Sequence, residues 1–321
     1  MRAVGAAEFP QEVEQAYRKA RRLEWVTLAY VASSAAFIYL VMGTSQAMRT
    51  NFYEDVISLV PAVAFLVGTA IARSSPLSDY PYGRHRATSI AHLVAAVALC
   101  AMGLFLVVEA GVKVFSGEKP TIGGFVLPGG TVVWAGWPML VALIYTGIPS
   151  VLLGRAKLTL ASRLYDKVLH ADAGMMKADW MTAGASAIGV IGTGFGYWWL
   201  DPLAAAIVSL DILKDGTSNL WTAVADLVDR RPEKADGSDW EQLPEEVRDL
   251  LLRMDWVADA AVRLRDEGHI FLGEAFVVPR PGTEDLVHKL EQAAREARSL
   301  NWRVHDLVIM PVARLPEAGD H

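Results

Sequence analysis

Residues 161–194, ASRLYDKVLHADAGMMKADWMTAGASAIGVIGTG, indicate the class to which this protein belongs. The stretch is long enough to cross a bilayer, because a membrane span needs about 20 mostly apolar residues. It nevertheless carries His170, Asp172, Lys177 and Asp179. A charged side chain inside a bilayer costs about 2.5–3.5 kcal/mol on insertion scales, so such residues usually serve a function. The stretch therefore predicts a membrane span with a functional polar interior.

Together with residues 161–194, five further apolar stretches predict an all-α transmembrane domain of six helices, in which residues 161–194 are the fifth span. They are Trp25–Met48, Thr50–Ala72, Ser89–Phe115, Val132–Leu153 and Tyr197–Val228. The 321 residues are 53% hydrophobic, the mean hydropathy is +0.27, and apolar residues dominate the part before residue 230. The net charge of −6 offers no basic surface to a nucleic acid. An enzyme is not predicted, because the sequence has no glycine-rich phosphate loop, HExxH motif or nucleophile–base motif.

The loops predict the orientation of these spans. Basic residues cluster at 2–22, 73–86, 155–167 and 230–234, which all fall on one side of the membrane if there are six spans. Loops rich in Lys and Arg stay in the cytoplasm. Both termini are therefore expected in the cytoplasm, and the lipid bilayer is expected to be a bacterial inner (plasma) membrane.

The composition changes at residue 230 and predicts a second, soluble domain. Residues 230–240 have the polar composition of a linker, and the order of helix and strand patterns beyond it is αββαβ. This order is typical of a small sheet with helices on one face. The predicted division is an N-terminal cytoplasmic segment at 1–24, the transmembrane domain at 25–229, the linker, the αββαβ domain at 241–313 and a tail at 314–321.

Spacing within two spans predicts a cation site. Glu54 and Ser58 are four residues apart in the second span, and Met175 and Asp179 are four apart in the fifth. Residues at this spacing share a helix face, so two facing helices offer four ligands. Asp55 lies about 100° around the helix from Glu54. These acids would repel one another unless a cation, a proton or Lys177 neutralised them, and accessory candidates are His170, Asp172 and Asp211.

Three motifs resemble those of the cation diffusion facilitator family. Tyr80-Pro-Tyr-Gly-Arg-His-Arg86 before the third span is similar to its HPFGHGR-type loop, and Leu169–Asp179 is similar to its ADAxHxxxD motif. Asp201-Pro202 opens the sixth span, as often occurs there. The resemblance implies a divalent metal/proton antiporter that acts as a homodimer and carries a ferredoxin-like cytoplasmic domain.

Carried over residue by residue, the resemblance places the transport ligands on Glu54, Ser58, Met175 and Asp179. A register shifted by one turn would instead pair Asn51 with Asp55, and this alternative remains open. The family's usual histidine is Met175 here, which weakens the case for Zn²⁺, because zinc favours His and Cys. An oxygen-rich site that includes Asp55 suits Mn²⁺, Fe²⁺ or Mg²⁺ better, and Co²⁺ is also considered.

The loop and tail sites of the family are altered in this sequence. Tyr80 and Arg84 stand where the loop histidines are usual, and the remaining metal candidates there and in the tail are Asp79, His85, His269 and His305. His269 and His305 are expected to be ordinary surface residues.

The resulting hypothesis is proton-coupled efflux of a divalent cation by alternating access. Two alternatives stay open: a membrane sensor or scaffold that has the fold without transport, and an exporter of a non-metal cation.

Overall fold

A computed structural model describes residues 9–41, 46–74, 79–116, 123–126, 132–197 and 199–316. Residues 1–8 of the predicted N-terminal segment and 317–321 of the predicted tail lie outside these ranges. The first part consists of long helices and a short hairpin: α1 Gln11–Val41, α2 Gln46–Ala72, α3 Arg86–Ser116, β1 Gly124–Val126, β2 Val132–Trp134, α4 Gly136–Leu164, α5 Lys167–Gly194 and α6 Leu200–Leu227. The second part consists of α7 Leu243–Leu252, β3 Val257–Asp266, β4 Phe271–Pro279, α8 Leu286–Leu300 and β5 Val304–Pro311.

Helices α1 to α4 are the four described helices that are long and apolar enough to cross a membrane. Helices α5 and α6 contain 28 residues each, which corresponds to about 42 Å. They are long enough to span a bilayer, but polar and small residues lower their hydropathy. The first part of the chain is thus mostly helical and of membrane type, as the sequence predicts.

Several helix ends differ from the predicted ends. Helix α1 begins at Gln11, well before Trp25, because buried residues continue at helical spacing through its polar first half. Helix α4 runs on to Leu164, and the predicted fifth span is interrupted there. Tyr165 adopts a left-handed conformation with φ of 51°, and the Asp166 side chain caps α5 by accepting the Leu169 amide at 3.0 Å.

Four helices enclose a central space. Helix α1 packs on α2 and α4, and α5 packs on the same two helices, so that α1, α2, α5 and α4 form a closed ring. Apolar clusters occupy both ends of this ring. One includes Phe65, Leu164 and Leu169, and the other includes Ile38 and Leu143.

Helices α3 and α6 form a separate pair that packs against α2 and α5. Two glycines bring the backbones of this pair into contact. A Cβ atom on Gly103 would lie 2.5 Å from Cα of Leu213, and a Cβ atom on Gly216 would lie 2.6 Å from Cα of Cys100. Any side chain at either position would force the two helices apart.

The second part of the chain is a three-stranded sheet covered by two helices. The strand order is β3-β4-β5, with β3 antiparallel and β5 parallel to β4. Helices α7 and α8 contact each other and supply Val247, Leu251, Ala293 and Ala297 to a core that also contains Phe271. The observed element order is the predicted αββαβ.

The turn between β3 and β4 docks on the ends of the long helices. Lys167 of α5 lies 2.7 Å from Asp226 of α6 and 2.9 Å from Asp266 of β3, measured from Nζ to the carboxylate oxygens. Beside it, Arg86 of α3 binds Asp229 and Glu267 at 2.6 and 2.9 Å. Ion pairs therefore join the sheet domain to α3 and α5, and Lys167 also links α5 to α6.

Candidate cation site

The middle of the four-helix ring is polar. Asp55 and Ser58 of α2 and Asp179 of α5 are all buried there, with at most 3% of each residue exposed. The Ser58 hydroxyl donates a hydrogen bond to Oδ1 of Asp179 at 2.6 Å. On the α1 side, Ser34 lies beside Asp55. Two acids from different helices thus share one interior space between the apolar ends of the ring.

Asp55, and not Glu54, is the main acidic neighbour of Asp179. The electrostatic interaction of Asp179 with Asp55 exceeds its interaction with Glu54. Oδ2 of Asp55 is buried and has no hydrogen-bond partner among the described residues. A buried carboxylate oxygen without a donor needs a proton, a water molecule or a cation. The pair can therefore offer carboxylate oxygens to a small cation.

Glu54 faces a different space. It lines a cavity of about 30 Å³ between α2, α3, α5 and α6, which is large enough for a water molecule. Thr50 and Glu109 lie in the same wall and are hydrogen-bonded to each other, and Ser186 lies opposite. Asn51 donates a hydrogen bond to that serine at 3.0 Å.

The four ligands expected from spacing are thus only partly brought together. Ser58 and Asp179 are in contact, whereas Met175 is fully buried in an apolar cluster with Leu99, Met102 and Ile212. Within the described ranges, no group of three or more His, Cys, Asp or Glu residues is arranged to hold a metal ion. The α2–α5 arrangement therefore offers two carboxylates and a hydroxyl rather than a complete cage.

Asp172 lies nearer the start of α5 than Asp179 and belongs to an ion cluster that the sequence did not predict. The Nζ atom of Lys157 on α4 lies 2.5 Å from Oδ2 of Asp172 and 3.0 Å from Oε2 of Glu24 on α1. Sequence reasoning assigned Lys157 to a loop and Glu24 to the N-terminal segment. The spacing of the buried α1 residues Tyr17, Ala20, Glu24, Thr27 and Val31 was the available signal.

Lys177 pairs with α6 and does not neutralise Asp179. Its Nζ atom lies 2.7 Å from Asp211 and 2.8 Å from Asp215. These side chains are 38–42% exposed. Lys177 and Asp215 line an open groove of about 430 Å³ between α4, α5 and α6, together with Arg155 and His170. The groove is on the side of α5 that faces away from Asp179.

Three of the four loop and tail candidates lie together. The rings of His85 and His269 are 6.1 Å apart and those of His85 and His305 are 5.5 Å apart, centroid to centroid, whereas Asp79 is exposed. The prediction that His269 is a surface residue was wrong, because it is 1% exposed and packs against the rings of Phe9 and Tyr17. Burial lowers the pKa of His269 to about 3, and the neighbouring His85 acts in the same direction. Burial also lowers the pKa of His305.

Residues 25–228 match the model of a protein family described as the cation efflux transmembrane domain. The chain belongs to the cation efflux, or cation diffusion facilitator, family. Members of this family are integral membrane proteins and secondary transporters, not enzymes. The resemblance drawn from the loop and the fifth-span motif is thereby confirmed.

Two Bacillus subtilis proteins are similar to this cation efflux family member. The manganese efflux system protein MneS is 29% identical over 191 residues, which cover 58% of this chain and 60% of that protein. The uncharacterized transporter YdbO is 29% identical over 195 residues, 58% of this chain and 63% of that protein.

A third relative comes from Paramagnetospirillum magneticum. Its magnetosome protein MamM is 27% identical over 214 residues, 65% of this chain and 63% of that protein. The chain thus spans between 60 and 63% of the length of the relatives it matches.

Proposed function

We propose that this protein exports a divalent metal cation across a membrane in exchange for protons, through Asp55 of α2 and Asp179 of α5. The observation that carries the proposal is the burial of these two acids in one polar space inside the four-helix ring. Ser58, which contacts Asp179, supplies a third oxygen-bearing group, its hydroxyl. Membership of the cation efflux family supports transport of a cation as the purpose of this space.

Mn²⁺ is the first cation to test. Carboxylate and hydroxyl oxygens suit Mn²⁺ and Mg²⁺, whereas zinc sites are usually built from nitrogen and sulfur ligands. Similarity to a protein named for manganese efflux points the same way. Fe²⁺, Co²⁺, Mg²⁺ and Zn²⁺ are the comparison ions.

Alternating access would couple the metal to protons. Carboxylates must be deprotonated to bind a metal, so protons and metal compete for the same oxygens. In one state the pair would open to the cytoplasm and bind the cation. In the other it would open outward, where protons displace it. Polar residues on α2 and α5 beyond the pair, including Asn51 and Ser186, would line the outward side.

The proposal includes the surrounding architecture. All of α1 to α6 would cross the bilayer with both termini in the cytoplasm, and the membrane would be a bacterial inner membrane. The domain boundaries would be those expected from the sequence, with a transport domain at 25–229. The ferredoxin-like domain at 241–313 would lie in the cytoplasm and pair two copies of the chain into a homodimer.

Inside-out vesicles with an imposed pH gradient provide the test. Vesicles that contain the protein should accumulate Mn²⁺, and Asp179→Ala should reduce the flux to that of vesicles without protein. Asp215→Asn is the matched control, because it removes an acid of α6 that faces the groove and should leave the flux unchanged. Absence of flux for all five metals, or full flux in Asp179→Ala, would refute the proposal and favour a non-transporting sensor or scaffold.

A further inference from the structure

A fully buried ion cluster joins α1, α4 and α5. Lys157 contacts Glu24 at 3.0 Å and Asp172 at 2.5 Å, and the side chains of all three residues are 0% exposed. No other cation among the described residues forms an ion pair with either acid. We call this set, Glu24, Lys157 and Asp172, the inner triad.

The charges of the inner triad do not balance. One ammonium and two carboxylates carry a net charge of −1 if both acids are ionised. An uncompensated charge in a protein interior is strongly unfavourable even after relaxation, and such groups commonly bind a proton instead. Lys157 can compensate only one of its two acids, so the second acid is expected to be neutral.

The remaining oxygens of the triad provide an independent indication. Oε1 of Glu24 and Oδ1 of Asp172 are buried, and neither has a hydrogen-bond partner among the described residues. One Nζ atom contacts both acids, at 3.0 and 2.5 Å, so the two carboxyl groups are neighbours. Two ionised carboxylates only accept hydrogen bonds, whereas one protonated carboxyl group can donate to the other. A single proton would therefore satisfy both the charge and the hydrogen bond.

We propose that Glu24 and Asp172 share one proton and form a proton-binding site distinct from the α2–α5 carboxylates. The proton bridges the two acids, and Lys157 holds them in place from α4. Use of this proton in antiport rests on the proposed function, but its presence does not.

The other titratable groups nearby face elsewhere. Asp179 is the next acid along α5, seven residues or about 10.5 Å from Asp172, and Asp55 and Glu54 lie beyond it on α2. Arg155 and His170 line the groove on the outer side of α4 and α5. The inner triad is thus a separate acid–base unit.

Infrared spectroscopy of the full-length protein in lipid nanodiscs tests the site directly. A protonated carboxyl group has a carbonyl band that carboxylates lack and that shifts in D₂O. At pH 7 without metal, Glu24→Gln and Asp172→Asn should each reduce this band by one carboxyl equivalent, because either change leaves a neutral pair with Lys157. Lys157→Met should increase it by one equivalent, because both acids must then be protonated.

The structure offers a matched control in Lys177, Asp211 and Asp215. This cluster also contains one lysine and two acids, but its side chains are 38–42% exposed, so water can stabilise both carboxylates. Asp215→Asn should leave the band unchanged.

The outcomes separate the two proposals. An unchanged band in both Glu24→Gln and Asp172→Asn overturns the shared proton, and so does loss in only one of them. If one of these variants does not fold, the other and Lys157→Met still decide the question. Mn²⁺ flux is measured independently, so absence of flux with the expected band changes refutes transport and leaves the proton site intact.

Discussion

Replacement of Lys167 by Met should undock the sheet domain from the long helices. Nζ of Lys167 lies 2.7 Å from Asp226 and 2.9 Å from Asp266, and the three side chains are 3–7% exposed. Met has a similar length but no charge, so two buried acids lose their shared partner. Arg230 remains 3.9 Å from Asp226 and compensates weakly.

The expected cost is about 3–5 kcal/mol, the usual effect of removing one partner from a buried ion pair. Each 1.4 kcal/mol is tenfold in an equilibrium constant, so the docked state should lose about two to three and a half orders of magnitude.

Hydrogen exchange in the detergent-solubilised full chain measures this effect. Amides of the β3–β4 turn, residues 266–270, should exchange faster in Lys167→Met than in the parent protein. Lys234→Met is the control, because Lys234 lies 3.4 Å from Asp239 in an exposed ion pair that water screens. Equal exchange in Lys167→Met and Lys234→Met would show that the buried pairs do not hold the domain.

Three further predictions follow from particular contacts. Asp55→Asn should abolish Mn²⁺ flux. Glu54→Gln should only weaken the apparent Mn²⁺ affinity, by about tenfold, the lower end of the usual effect of a group outside the ligand set; equal loss in both variants would contradict this assignment. Gly216→Ala should destabilise the solubilised protein by about 1–3 kcal/mol in thermal unfolding, whereas Gly111→Ala, where a Cβ atom meets nothing within 4 Å, should not; equal effects would exclude the close contact as the cause. His269 has a pKa of about 3 in the folded protein, against an ordinary value of 6.5. As the pH falls below 6.5, the unfolded chain therefore binds a proton that the folded protein does not, and the free energy of unfolding decreases. Between pH 7 and 5 the parent should therefore lose about 2 kcal/mol more stability than His269→Phe, with the exposed His288→Gln as control, and parallel pH profiles of parent and His269→Phe would refute this.

The sequence predicted element types better than element ends. Long apolar stretches and the αββαβ pattern depend on composition and periodicity, which are visible in a single chain. Helix ends depend on local contacts instead. Hydropathy detects only the part of a helix that matches the hydrocarbon thickness, so it missed the polar first half of α1. The break at Tyr165 is also hard to predict, because a left-handed conformation is uncommon outside glycine.

The candidate site shows the same limit. The acids on the second and fifth spans were evident because charge in an apolar stretch is unusual. Whether Glu54 or Asp55 faces Asp179 depends on the rotation of α2 about its axis, which α3 and α5 determine through packing. His269 was misplaced because a turn residue is usually exposed, whereas this turn is covered by α1 and the α2–α3 loop.

The two glycines of α3 and α6 restrict how these helices can move. Gly103 and Cys100 are three residues apart on one helix, and Leu213 and Gly216 are three apart on the other, so the backbones touch within a single turn. Each helix packs into a groove that a glycine leaves in its partner, so neither can slide along the other unless the two backbones first separate. Rotation about this crossing point remains open. The pair should therefore rotate about one fixed crossing point, so that a small increase in crossing angle moves the helices apart at both ends of the pair.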